Sequence, residues 1–221
     1  MRAVILGLAI LALGACGGSV EVVVPPPDGE TDAPEGDGSA GGYAELTIVP
    51  YVEYPSSYFT VELSNAAELD GIYDAWCVDP DTGSLGGPYA VELWSSYANL
   101  PAGAVENPDN LDLVNYVINT FTIGDSIDVD FGDGTVMPWT IDVYDIQDAI
   151  WTLVSPSHQP WEGSAGSAIA ERARLEGEGF VPACGEQLAL IALPILNQDT
   201  TATNDGQVLA LETAVQGATC E

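Results

Sequence analysis

Apolar positions along this chain repeat with two different periods, and the change from one to the other divides it into elements. The runs Leu46–Val52, Tyr58–Leu63, Ile72–Val78 and Tyr89–Trp94 are short and rich in Val, Ile, Tyr and Trp. Clusters of Pro, Gly, Asn and Asp bound them, so each predicts a β-strand. From Asn110 to Phe121 the apolar residues Leu111, Val114, Val117, Ile118 and Phe121 recur at spacings of three and four after Pro108-Asp109-Asn110, which predicts a helix. Ile127–Phe131 and Val136–Val143 flank Gly132-Asp133-Gly134 and predict two strands about a turn. A second helix, Asp145–Val154, puts Ile146, Ile150, Leu153 and Val154 on one face and stops before Pro156. Ser164–Glu176 predicts a third, stopped by Gly177 and Gly179, and the runs Gln187–Leu196 and Gln207–Val215 predict closing strands. Strands first, helices inserted and strands last give a mainly β fold with inserted helices (α+β): an antiparallel β-sandwich or barrel carrying a small helical subdomain.

The start of the chain follows a different logic. Residues 1–15 carry Arg2 and then an apolar run from Ala3 to Leu13, the layout of a secretory signal peptide and too short for a permanent membrane span. Leu13-Gly14-Ala15-Cys16 looks like the lipobox of bacterial lipoproteins, which implies that Cys16 becomes a lipidated N-terminus. Several acyl chains on one residue anchor a protein stably to a membrane. Gly17 after the cysteine, by resemblance to lipoprotein sorting, implies an outer-membrane or cell-surface destination in the bacterial envelope. Residues 16–42 are rich in Gly, Pro, Asp and Glu without periodicity and predict a disordered acidic linker. Residues 43–221 are of a length for one extracellular domain.

Charge narrows the partners. With 34 Asp and Glu against three Arg and no Lys, the chain carries a formal charge of −31. Coulomb repulsion and the absence of a basic cluster argue against nucleic acid as a partner. The expected partners are the membrane, through the anchor at Cys16, and an unidentified extracellular protein or surface ligand. A content of 47% hydrophobic residues with five Trp is enough for a packed core.

Cysteine arithmetic supplies the candidate chemistry. If Cys16 is lipidated, Cys77, Cys184 and Cys220 remain, an odd number in an oxidising compartment. One disulfide could join Cys184 to Cys220, Cys77 to Cys184, or Cys77 to Cys220. The first would clamp the closing strands and leave Cys77 free. Three segments then form a pattern: Trp76-Cys77-Val78-Asp79 on a strand, the helix Asp145-Ile146-Gln147-Asp148-Ala149-Ile150-Trp151, and Gly177-Glu178-Gly179-Phe180-Val181-Pro182 leading into Leu188–Ala192. In that order they resemble the thioester domains of bacterial surface adhesins. The resemblance implies that Cys77 and Gln147 condense into an internal thioester.

Attack of a thiolate on an amide with loss of ammonia is unfavourable in water and needs both groups held in contact. The product must be shielded from hydrolysis, and Trp76, Trp151 and Trp139 are expected to cover it. Asp74 and Asp79 are expected to raise the Cys77 thiol pKa, which opposes activation. A chain without lysine spares such an electrophile an internal amine, although the acidic composition alone accounts for the missing lysines. Without the condensation, Cys77 is a small buried apolar residue and Gln147 a helix-start residue.

Other constellations are sparse. The single histidine, His158, falls in the loop Ser155–Pro160. It reads as an exposed loop residue before it reads as the base of a Cys77–His158 hydrolase. Asp128, Asp130 and Asp133, or Asp79 and Asp81, could hold calcium, but their spacing is not that of an EF-hand, and no cofactor is expected. Two functions lead: covalent capture of a target by a surface-anchored lipoprotein, without turnover, or a non-covalent binding or structural surface module with an unreactive Cys77. An extracellular hydrolase comes third.

Overall fold

The computed structural model describes residues 43–50, 56–82, 87–132, 134–195 and 206–215. The signal peptide, Cys16, the linker, Val52, Asp133, Leu196 and Cys220 lie outside the described residues. Among the described residues no helix is long and apolar enough to cross a membrane.

The strands are β1 (Ala44–Ile48), β2 (Phe59–Ser64), β3 (Gly71–Cys77), β4 (Tyr89–Ser95), β5 (Ser126–Asp130), β6 (Val136–Thr140), β7 (Gln187–Pro194) and β8 (Leu209–Ala214). The helices are α1 (Leu111–Thr120), α2 (Val143–Val154) and α3 (Ala165–Glu176). Six strands close into an antiparallel barrel in the order β1-β2-β3-β8-β7-β4, and β5 and β6 form a separate two-stranded sheet. The fold is therefore mainly antiparallel β with inserted helices.

Alternation along the strands creates two cores. Leu46, Val61, Leu63, Ala75, Cys77, Val91, Leu190, Leu209 and Leu211 fill the barrel. Their neighbours Trp76, Val78, Ala189, Ile191 and Ala210 point outward and join Val117, Ile150, Leu153 and Ile169 of the helices in a second core. The period of two thus explains why both faces of β3, β7 and β8 are apolar: one packs inside the barrel and the other beneath the helices.

Helix α2 begins at Val143, two residues before the apolar pattern places it. Asp142 accepts hydrogen bonds from the N–H groups of Tyr144 and Asp145, and the Asp145 carboxylate accepts from Asp142 N at 2.9 Å. This reciprocal cap satisfies the free N–H groups of the first turn, and β6 accordingly stops at Thr140 instead of running to Val143. Helices α2 and α3 meet closely at Gly166, where a Cβ would stand 2.5 Å from the Asp148 carboxylate. Any side chain there would push α3 off α2 and shift Asp148.

Candidate functional site

Strand β3 outruns its neighbour β2. The last pair of their ladder is Phe59 with Ala75, so no β2 residue of the ladder faces Cys77. On the opposite edge β3 continues to pair with β8, Cys77 opposite Leu209, and Val78 N donates to Val208 O at 3.1 Å. Hydrogen-bonding direction alternates along a strand, so the main-chain groups of Cys77 point to the edge that β2 has left. Gln147 of α2 occupies that edge. Cys77 N donates to Gln147 Oε1 at 2.8 Å, and Gln147 Nε2 donates to Cys77 O at 2.8 Å. Both residues are buried, Gln147 to 1% exposure and Cys77 to 0%.

The structure therefore brings the carboxamide of Gln147 onto Cys77, 70 residues away in sequence. Cys77 is a free cysteine. Its Sγ–H donates to Asp79 O at 3.1 Å, and Asp79 N donates to the sulfur at 3.4 Å, so a single turn of main chain brackets the thiol. Burial pushes the thiol up to about 11, the nearby Trp151 indole and the Asp79 main chain work the other way, and the Asp79 charge adds a small rise. Desolvation, not the neighbouring carboxylates expected from sequence, is the main cause, and Asp74 does not contribute. Asp74 instead accepts from the hydroxyls of Ser56 and Ser57.

The three tryptophans expected over the thiol part company. Trp151, one turn beyond Gln147 on α2, packs against the barrel core that contains Cys77. Its Nε1–H is buried and makes no formed hydrogen bond. Trp76 points to the other core, where its Nε1 donates to Glu212 Oε1 at 2.6 Å, and burial raises the Glu212 carboxyl above its usual range. Trp139 is 47% exposed on β6 and donates to Asp145 at 3.2 Å.

Residues not singled out by sequence complete the surroundings. Tyr58 stands edge-on to Trp151 with ring centres 5.7 Å apart and to Tyr144 at 6.1 Å. Its hydroxyl is raised by burial and then by the neighbouring Cys77. His158 is not the exposed loop residue expected: its side chain is 24% exposed, it meets Asp148 at 2.6 Å, and its ring lies 5.4 Å from that of Trp151. Tyr58 comes to the site through the β2–β3 register and His158 through the turn after α2, neither of which a sequence pattern reveals.

Cys184, exposed in the turn before β7, is disulfide-bonded. Since Cys77 is free, the pairing Cys77–Cys184 is excluded. Among the described residues no three His, Cys, Asp or Glu converge as a metal site would require. That applies to Asp79, Asp81, Asp128 and Asp130, while Asp133 lies outside the described residues.

Comparisons with known proteins add little. No family model matches the chain, and no curated protein matches it. Among solved structures it is similar to the N-terminal thioester domain of a surface protein from Clostridium perfringens, at 11% identity and a TM-score of 0.39, over 78% of this chain and 98% of that one. The functional reading rests on the geometry around Cys77.

Proposed function

We propose that this protein is a surface-anchored lipoprotein whose barrel domain forms an internal thioester between Cys77 and Gln147 and uses it to attach to an external nucleophile. One observation carries the reading: a free, buried thiol sits on the residue whose main chain holds the glutamine carboxamide at both ends. In the condensation a bond forms between Cys77 Sγ and Gln147 Cδ, the Cδ–Nε2 bond breaks, and nitrogen leaves as ammonia with the thiol proton. Cys77 N–H already donates to Oε1, the oxygen on which charge develops, and so polarises the carbonyl. The Trp151 indole N–H, which acts on the Cys77 thiol and has no other partner, is a second donor beside the sulfur. Fixing both groups in a dry core supplies the effective concentration that a thiol raised to about 11 lacks in reactivity. The Trp151, Tyr58 and His158 rings then limit access of water.

Capture would proceed by attack of an amine or hydroxyl on the thioester carbonyl carbon, leaving that group acylated by Gln147 and returning the Cys77 thiol. The module makes one bond per molecule. A disulfide between Cys184 and Cys220 and an anchor at Cys16 complete the proposal, which places the domain at the cell surface on the linker 16–42.

A non-covalent module is the second reading, and one observation favours it. Asn119 of α1 grips Gln187 of β7 in the same two-ended way with no thiol present, donating from Nδ2 to Gln187 O and accepting from Gln187 N, each at 2.7 Å. Carboxamide clamps thus also serve this fold as joints.

Intact mass separates the two. The thioester requires a deficit of one ammonia in the purified protein, abolished by Cys77→Ala and by Gln147→Ala and converted by methylamine to an adduct with a new free thiol. A full mass with a free thiol at Cys77 overturns it.

A further inference from the structure

A chain of side-chain contacts runs from Gly166 of α3 through Asp148, His158 and Trp151 to the Cys77 sulfur. In the 155–160 turn Pro156, Ser157 and Gln159 are exposed, but the His158 side chain turns inward and meets Asp148 Oδ1 at 2.6 Å, ten residues back on α2. The His158 main chain donates to Ser155 O at 3.1 Å, which fixes the turn that sends the ring there. From these contacts we infer that the Asp148–His158 pair is a positioning element for Trp151, holding the indole so that its N–H stays beside the Cys77 sulfur.

Three observations carry it. First, Asp148 is itself held. A Cβ on Gly166 would stand 2.5 Å from its other oxygen, so α3 reaches this carboxylate only because residue 166 has no side chain. An ionised carboxylate only accepts, so Nε2 carries the proton and the imidazole takes its orientation from Asp148. Second, two rings bear on the indole, His158 at 5.4 Å and Tyr58 at 5.7 Å between centres. Asp148 and Trp151 stand three residues apart on one side of α2, and His158 engages both. Third, the Trp151 N–H acts on the Cys77 thiol, has no other partner and makes no formed hydrogen bond of its own. A donor so placed is not held by its own bond, so the groups packed on the ring decide where it points.

For capture the consequence lies in the leaving group, and this part rests on the proposed thioester. Attack on the Gln147 carbonyl carbon breaks the carbon–sulfur bond, its electron pair passes to Cys77 Sγ, and the proton released by the nucleophile ends on that sulfur. Charge therefore gathers on Sγ in a dry core, where a fixed N–H stabilises it more than one that swings. Asp148 and His158 act through the indole alone.

The test follows the indole N–H signals of the five tryptophans by NMR, in purified protein with Cys77 as a free thiol. That form is the protein as purified if no thioester forms, and the methylamine-opened protein if one does. Trp151→Phe identifies the Trp151 signal, and Cys77→Ala gives its position without the sulfur. Asp148→Ala, and His158→Phe, which keeps a ring and loses the bond to Asp148, are expected to move that signal toward its Cys77→Ala position and to leave the other four in place. Asp148→Asn, whose carbonyl oxygen still accepts from Nε2, should leave it unmoved. An unmoved signal in Asp148→Ala, movement of all five signals, or Asp148→Asn behaving as Asp148→Ala overturns the proposal. Where the thioester is present, opening by methylamine should slow about tenfold in Asp148→Ala and keep its rate in Asp148→Asn. Equal slowing in the two would also overturn it. The indole signals decide the positioning whether or not the ammonia deficit is found, and the deficit decides the thioester whatever the signals do.

Discussion

Two strands of the barrel outrun a neighbour, and the fold closes both gaps in the same way. At the end of β3, where β2 has stopped, Gln147 of α2 pairs with both main-chain groups of Cys77. At the start of β7, beyond its last pair with β4, Asn119 of α1 pairs with both main-chain groups of Gln187, and Asn115 Oδ1 accepts from Ala189 N. An unpaired strand edge beneath a helix leaves buried N–H and C=O groups, each of which costs free energy unless bonded. A helix carboxamide has the one donor and one acceptor needed to replace the missing strand. The clamp is therefore an architectural device. Under the proposed thioester, chemistry enters where the clamped residue is a buried cysteine, as at 77, and not where it is a half-exposed glutamine, as at 187.

The largest expected contrast is between the two clamps themselves. Gln147→Ala should abolish the ammonia deficit and lower stability by about 2–4 kcal/mol in urea unfolding, because two fully buried main-chain groups lose their partners. Asn119→Ala should cost about 1–2 kcal/mol, since water can reach Gln187, and should leave the ammonia deficit intact. Equal mass behaviour in the two variants would erase the distinction drawn between them.

A pH series sharpens it further. Burial raises the Cys77 thiol from 9.0 to about 11, so at neutral pH the protonated form dominates. If the thiolate is the attacking species, condensation in freshly refolded protein, followed by intact mass, should accelerate by about tenfold per pH unit and level off as pH approaches 11. A rate independent of pH between 7 and 9 would show that ionisation of Cys77 is not part of the step.

The smallest effect is expected at Cys77 itself. Before condensation Gln147 grips the main chain and not the sulfur, so Cys77→Ala, compared with wild type in its uncondensed form, should keep both hydrogen bonds and cost only about 1 kcal/mol for the lost side-chain packing. A loss comparable with that of Gln147→Ala would mean that the sulfur is itself part of the joint.

Much of the fold was legible in the residues. Among the described residues, eight strands and three helices lie where the short apolar runs and the period-3.6 runs put them, with shifts at the ends set by local hydrogen bonding. Asp142 starts α2 early because it caps the helix, a role the apolar pattern does not display. The candidate site was legible in part: Cys77 was marked by cysteine arithmetic, Gln147 by the resemblance to thioester domains, and Trp151 as one of three aromatic residues expected over the thiol. Trp139 and Trp76 show the limit. Both are aromatic and near the right segments, but strand alternation sends Trp76 to the opposite face from Cys77, and Trp139 sits on the outlying sheet of β5 and β6. Tyr58, His158 and Asn119 carry no motif at all.

By itself, then, the sequence determined the order and type of the elements, the acidity that argues against nucleic acid, and the odd cysteine. Those follow from local periodicity, capping and composition, which act within a few residues. Tertiary structure alone decided that the strands close as β1-β2-β3-β8-β7-β4, that β3 outruns β2, and that the edge so exposed is met by a glutamine 70 residues away. Register and strand ending are collective outcomes of packing two cores at once, and only they bring the Cys77 thiol and the Gln147 carboxamide into one dry place.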